Sequence, residues 1–118
     1  MALTIYHNPR CSKSRQTLEI IREAGVEPEI IRYLEDTLPP KTILALAASL
    51  GLRVADLLRR KESEFRAADD LPDLDNDEAL AGWLADHPKV IERPNVVDTD
   101  SGRAVLGRPP ENVTELLN

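Results

Sequence analysis

The chain has 118 residues, the size of one domain that buries roughly two-thirds of its unfolded surface. Its composition, 42% hydrophobic and 31% charged, is that of a globular protein, with no run near the roughly 20 apolar residues of a membrane span and no leader-like opening segment. A net charge of −6 argues against general nucleic-acid binding, and a single cysteine excludes an internal disulfide. The expectation is a cytoplasmic protein with neither nucleic acid nor membrane as partner.

In chain order, Leu3-Thr4-Ile5-Tyr6 reads as a short buried strand. Residues 14–24 follow with Leu18 and Ile21 at helical spacing, and Gly25 supplies a stop. Residues 29–34 read as a second strand, so the opening is a βαβ unit with parallel strands. Pro39-Pro40 then precedes an Ala/Leu-rich helix over 41–50 that Gly51 ends. Residues 54–67 form another helical candidate. A third spans 76–86, with Asp75 at its start, Glu78 as capping-box partner and Pro88 beyond its end.

Three consecutive helices cannot all be crossovers, so residues 39–88 read as a helical insertion in one domain spanning 1–118. Val96-Val97 and Ala104-Val105-Leu106 flank a turn-rich stretch and predict an antiparallel hairpin. A short helix over 111–117 closes the chain, with Pro110 in its first turn. The sum is an α/β fold with a mixed sheet of thioredoxin-like order and an inserted helical subdomain.

Chemistry concentrates at Tyr6-His7-Asn8-Pro9-Arg10-Cys11-Ser12-Lys13-Ser14-Arg15. A cysteine between a strand and a helix faces free N–H groups and the positive end of the helix dipole, which favour thiolate over thiol. Arg10, Lys13, Arg15 and a protonated His7 would add cationic charge. Cys11-Ser12-Lys13-Ser14 has the spacing of a C-x-x-C motif with serine in the second place. Serine cannot resolve a mixed disulfide, so a redox-active Cys11 needs a thiol from another molecule. One cysteine and two separated histidines leave no structural metal site. A basic loop opening a helix also binds anions, which points to an oxyanion beside the sulfur. Arginine suits bidentate oxyanion binding, yet composition and spacing do not select particular arginines from the rest.

The segment from His7 to Leu18 closely resembles the opening of the glutaredoxin-coupled arsenate reductases. The resemblance continues through Gly25-Val26-Glu27-Pro28, Tyr33-Leu34-Glu35, Leu57-Leu58-Arg59, Glu92-Arg93-Pro94 and Gly107-Arg108-Pro109. It implies a thioredoxin-like fold with a helical insert, the nucleophile at Cys11, and three oxyanion-binding arginines at Arg59, Arg93 and Arg108. Arg60 competes with Arg59 for one of these roles. The family's thiolate-tuning histidine falls on His7, with Ser14 nearby, and Pro94 matches a proline often held cis.

The implied reaction is reduction of arsenate to arsenite. Cys11 attacks arsenic, glutathione attacks the adduct as co-substrate, and glutaredoxin reduces the resulting mixed disulfide; no tightly bound cofactor is expected. Two other readings stand beside it. One is a non-enzymatic regulator of the Spx type that binds RNA polymerase, although Ser14 breaks the redox switch such proteins use. The other is a monothiol reductase of glutathione mixed disulfides, whose family lacks the helical insert and the arginine triad.

Overall fold

The structure, a computed structural model, describes residues 2–117, so the two terminal residues of the expected 1–118 domain lie outside it. The chain divides into two compact units, Met1–Asp36 with Arg93–Asn118, and Thr37–Glu92.

The first unit is built on a four-stranded mixed sheet. Strands β1 (Leu3–Tyr6) and β2 (Glu29–Ile31) are parallel and are joined through helix α1 (Ser12–Glu23). Strands β3 (Asn95–Asp98) and β4 (Ala104–Leu106) form an antiparallel hairpin, and β3 pairs antiparallel with β1, giving the order β2-β1-β3-β4. Register explains the core. Ile30, Ile5, Val96 and Val105 are successive cross-strand partners, so one row of β-branched side chains runs across the sheet on a single face. Leu18 and Ile21 of α1, with Val113 and Leu116 near the C-terminus, cover that row.

Two boundaries differ from expectation. The strand predicted over 29–34 ends at Ile31, because the Arg32 carbonyl accepts from both Glu35 and Asp36 N–H groups and turns the chain. The closing helix begins as a 3-10 turn, Pro110–Val113, before α5 (Thr114–Leu117). The Asn112 amide donates to the Leu106 and Arg108 carbonyls, drawing this first turn toward the preceding loop.

The second unit holds α2 (Pro40–Leu50), α3 (Ser63–Arg66) and α4 (Asp77–Ala85). Gly51 closes α2 at φ 70°, the left-handed conformation for which glycine is suited. Helix α4 is capped by Asn76, whose Oδ1 accepts from Ala79 N–H at 3.1 Å, and not by Asp75. The helix predicted over 54–67 does not form as one element, and only its last part is α-helical, as α3. A 3-10 turn, Val54–Leu57, gives way to an antiparallel bridge between Leu58 and Ile91, with Arg59 N–H donating to the Val90 carbonyl and Glu92 N–H to that of Leu57. Leu57 and Leu58 are both buried, and these bonds replace helical ones with longer-range partners. Among the described residues, no helix is long and apolar enough to cross a membrane.

Candidate functional site

The cysteine loop begins where β1 ends. His7 N–H donates to the Ile31 carbonyl at 2.8 Å, which extends the parallel ladder by one residue and aims the chain at α1. The turn then closes on itself. Cys11 N–H donates to the Asn8 carbonyl, and Arg10 N–H donates to the Asn8 side chain, both at 3.0 Å. Cys11 takes the N-cap position in an extended conformation, and its carbonyl accepts the first helical bond from Arg15 N–H.

Ser14 is fully buried beneath this turn. Its Oγ accepts from Asn8 N–H at 3.1 Å and lies 2.6 Å from His7 Nδ1, so one hydroxyl ties the end of β1, the turn and α1 together. Arg15 Nη1 donates to the Pro9 carbonyl at 2.9 Å and braces the same turn from outside.

Partial burial of Cys11 works against the thiolate by pushing the thiol up. The Ser14 amide, the Arg93 guanidinium and the Lys13 amide outweigh it, and the thiol is held below its ordinary value. The Cys11 side chain closes no capping hydrogen bond, yet these amides approach the sulfur closely enough to favour its charged form. The main guanidinium contribution comes from Arg93, which β3 carries in from far along the chain. Arg10, Lys13 and Arg15 extend into solvent, where a charge is screened.

His7 does not add the positive charge expected of it. Burial lowers its pKa first, and the charges of Arg32, Arg22 and Arg15 lower it further, so the ring is neutral at neutral pH. It acts instead as the buried hydrogen-bond partner of Ser14.

Arg93 and Arg108 are brought together by two adjoining loops. The Arg93-Pro94 and Arg108-Pro109 bonds are both cis, the first as expected for Pro94. Arg108 Nη1 donates to the Arg93 carbonyl at 3.2 Å, and Gly107 N–H donates to the Pro94 carbonyl at 2.8 Å. Gly107 is a packing requirement. A Cβ there would lie 2.6 Å from Thr17 Oγ1 and 2.9 Å from Pro94 Cγ, so only glycine lets this loop seat against α1. Asn8, Thr17, Gly107 and Asn112 were not singled out by sequence reasoning. The glycine between a strand and Arg-Pro-Pro was the one available signal.

Arg59 and Arg60 belong to the Thr37–Glu92 unit. Arg59 is partly buried, and its Nε lies 3.6 Å from Glu92 Oε1, while Arg60 is exposed. Among the described residues there is no group of three or more His, Cys, Asp or Glu side chains suited to a metal ion.

This chain is 45% identical over 96% of its length to YfgD of Escherichia coli K12, an uncharacterized protein of which the match covers 94%. It is 39% identical to an arsenate reductase of Neisseria meningitidis serogroup A, covering 98% of this chain and 97% of that one. The solved structure of an arsenate reductase from Vibrio cholerae superimposes with a TM-score of 0.85 at 42% identity, covering 98% of this chain and 97% of that one. The mixed sheet with helices is accordingly the α/β, thioredoxin-like fold that the pattern of elements predicted. The ArsC family model matches residues 6–116, which include the cysteine loop and both cis-proline loops, and the chain belongs to the ArsC family.

Proposed function

We propose that the protein is an arsenate reductase whose nucleophile is Cys11. The observation that carries this is a lone cysteine at the start of α1 whose thiol is lowered by two helix amides and by Arg93, with Arg108 beside Arg93. Relatives about 40% identical over nearly their whole length bear that name, which supports arsenate as the substrate.

Arsenate docks against Arg93 and Arg108, whose planar forks neutralise its oxygens. The family resemblance assigns the third guanidinium to Arg59, with Arg60 as its competitor. The Cys11 thiolate attacks arsenic, an S–As bond forms, and an arsenate oxygen leaves as water. The arginines stabilise the charge that gathers on the remaining oxygens. Glutathione thiolate then attacks the Cys11 sulfur. The S–As bond breaks, its electron pair stays on arsenic, and arsenite departs while Cys11 holds glutathione in a mixed disulfide.

Glutaredoxin removes that glutathione and returns the thiolate. This external step follows from position 14, where the hydroxyl of Ser14 is buried in the loop and no second thiol stands. The reaction needs no tightly bound cofactor, and its reductants place it in the cytoplasm. We read the chain as a single domain, 1–118, whose helical insertion, about 39–88, falls within the Thr37–Glu92 unit, and Pro94 as shaping the turn beside Arg93. The test is a coupled assay with arsenate, glutathione and glutaredoxin added stepwise. Turnover is expected only with all three, and Cys11→Ser should abolish it; full activity in that variant would overturn the assignment.

A further inference from the structure

Beside the cysteine turn lies an open cleft of about 640 Å³, walled by α1 on one side and by β2 and the residue after it on the other. It falls within the usual size range of small-ligand sites, about 300–1,000 Å³. None of the chemistry above uses it.

We propose that this cleft is the docking site of the peptide thiol that discharges Cys11, a molecule with two carboxylates and one ammonium; the inference rests on the arsenate reductase reading. The stripe Arg15, Glu19, Arg22, Glu23 recurs at helical spacing along α1, and Arg32 stands opposite, just past β2. Three guanidiniums with two carboxylates complement two anionic groups and one cationic group. Leu18 and Ile30 supply an apolar floor between the charges. Glutathione has that distribution of charge around a short flexible backbone.

The arginines are not equally committed. Arg22 pairs with Glu27 at 3.0 Å, and Arg15 holds the Pro9 carbonyl. Arg32 is exposed and its side chain has no partner among the described residues, which leaves its fork open for a carboxylate. An independent sign of convergence is His7, also in the lining, whose ring is held neutral in part by the charges of Arg32, Arg22 and Arg15. The cleft is continuous with the nucleophile's turn, since Pro9 and Arg15 line it and Arg15 N–H bonds the Cys11 carbonyl. A thiol peptide held there lies against the turn that carries Cys11.

The probe is S-methylglutathione, a thioether that binds without reacting. Titration of the full chain, followed by amide chemical shifts, should perturb α1 and residues 30–32. Arg32→Ala should weaken binding by about tenfold and Arg32→Glu by more, as for loss and reversal of one charge-assisted anchor. Arg32 is exposed, so the fold is not at issue in either variant. Shifts centred elsewhere, unchanged affinity in Arg32→Glu, or equal binding of plain glutarate would each overturn the proposal. Arsenate turnover without cleft-centred binding overturns this inference alone. Cleft-centred binding in a protein inert toward arsenate upholds the site and overturns the activity.

Discussion

Gly107→Ala isolates the packing that seats the Arg108 loop. The added Cβ would sit 2.6 Å from Thr17 Oγ1, 2.9 Å from Pro94 Cγ and 3.1 Å from Thr17 Cγ2, against an optimum of about 3.5–4.0 Å between carbon atoms. Thr17 cannot step aside without loss, because it is fully buried and its hydroxyl donates to the Lys13 carbonyl at 2.8 Å. Overpacking of this kind costs about 1–3 kcal/mol, offset by about 0.4–1 kcal/mol from restricting the unfolded chain. The net is a loss of about 1–2 kcal/mol, or a drop in Tm of roughly 4–8 °C for a chain of this size. Gly82→Ala provides the contrast, since that glycine lies inside α4 with no atom within 4 Å of its added Cβ. There the same substitution should stabilise by about 0.5–1 kcal/mol. Urea unfolding followed by far-UV circular dichroism measures both, and a Thr17→Ala background should relieve part of the Gly107→Ala cost, by about 0.5 kcal/mol or more. Gly107→Ala at wild-type stability, or an identical cost in both backgrounds, would refute the argument.

Two further outcomes test the cysteine loop. Alkylation of Cys11 by iodoacetamide should follow a pH curve whose midpoint lies below that of a free thiol, because the folded state favours the thiolate. Arg93→Gln should move that midpoint up, and an unmoved curve would remove Arg93 from the activation. Ser14→Ala should destabilise by about 1–3 kcal/mol, because it strips the partner from the buried Asn8 N–H and from His7 Nδ1. Thermal unfolding reads the loss, and a stable Ser14→Ala protein would mean that the hydroxyl does not anchor the turn.

What the sequence disclosed follows from how far each cause reaches along it. Strand β1, the βαβ opening, the Gly51 stop and the β3–β4 hairpin rest on periodicity and on residues a few positions apart, and all were legible. The segment after Val54 was misread because its apolar spacing is helical while its backbone partners, Val90 and Ile91, lie outside any local window. The same distance hid the source of thiolate activation. The nearby cations were visible and turned out to be exposed, whereas Arg93 acts on the sulfur only because β3 runs beside β1.

Position 14 is the sharpest instance. Against a C-x-x-C pattern, serine looks like a resolving cysteine that is missing. In the folded chain its Oγ receives a buried N–H bond and meets a neutral His7 ring at 2.6 Å, a double task for which a thiol, a weak donor and a weak acceptor, is poorly suited. A cysteine placed there would gain a possible disulfide partner for Cys11 and lose the bond that holds the turn beneath it. The turn also presents the Lys13 and Ser14 amides to the sulfur, so loosening it would weaken the nucleophile that a resolving thiol is meant to serve. The hydrogen bonding that activates Cys11 therefore occupies the position from which it would be resolved, and a second thiol has to arrive from another molecule.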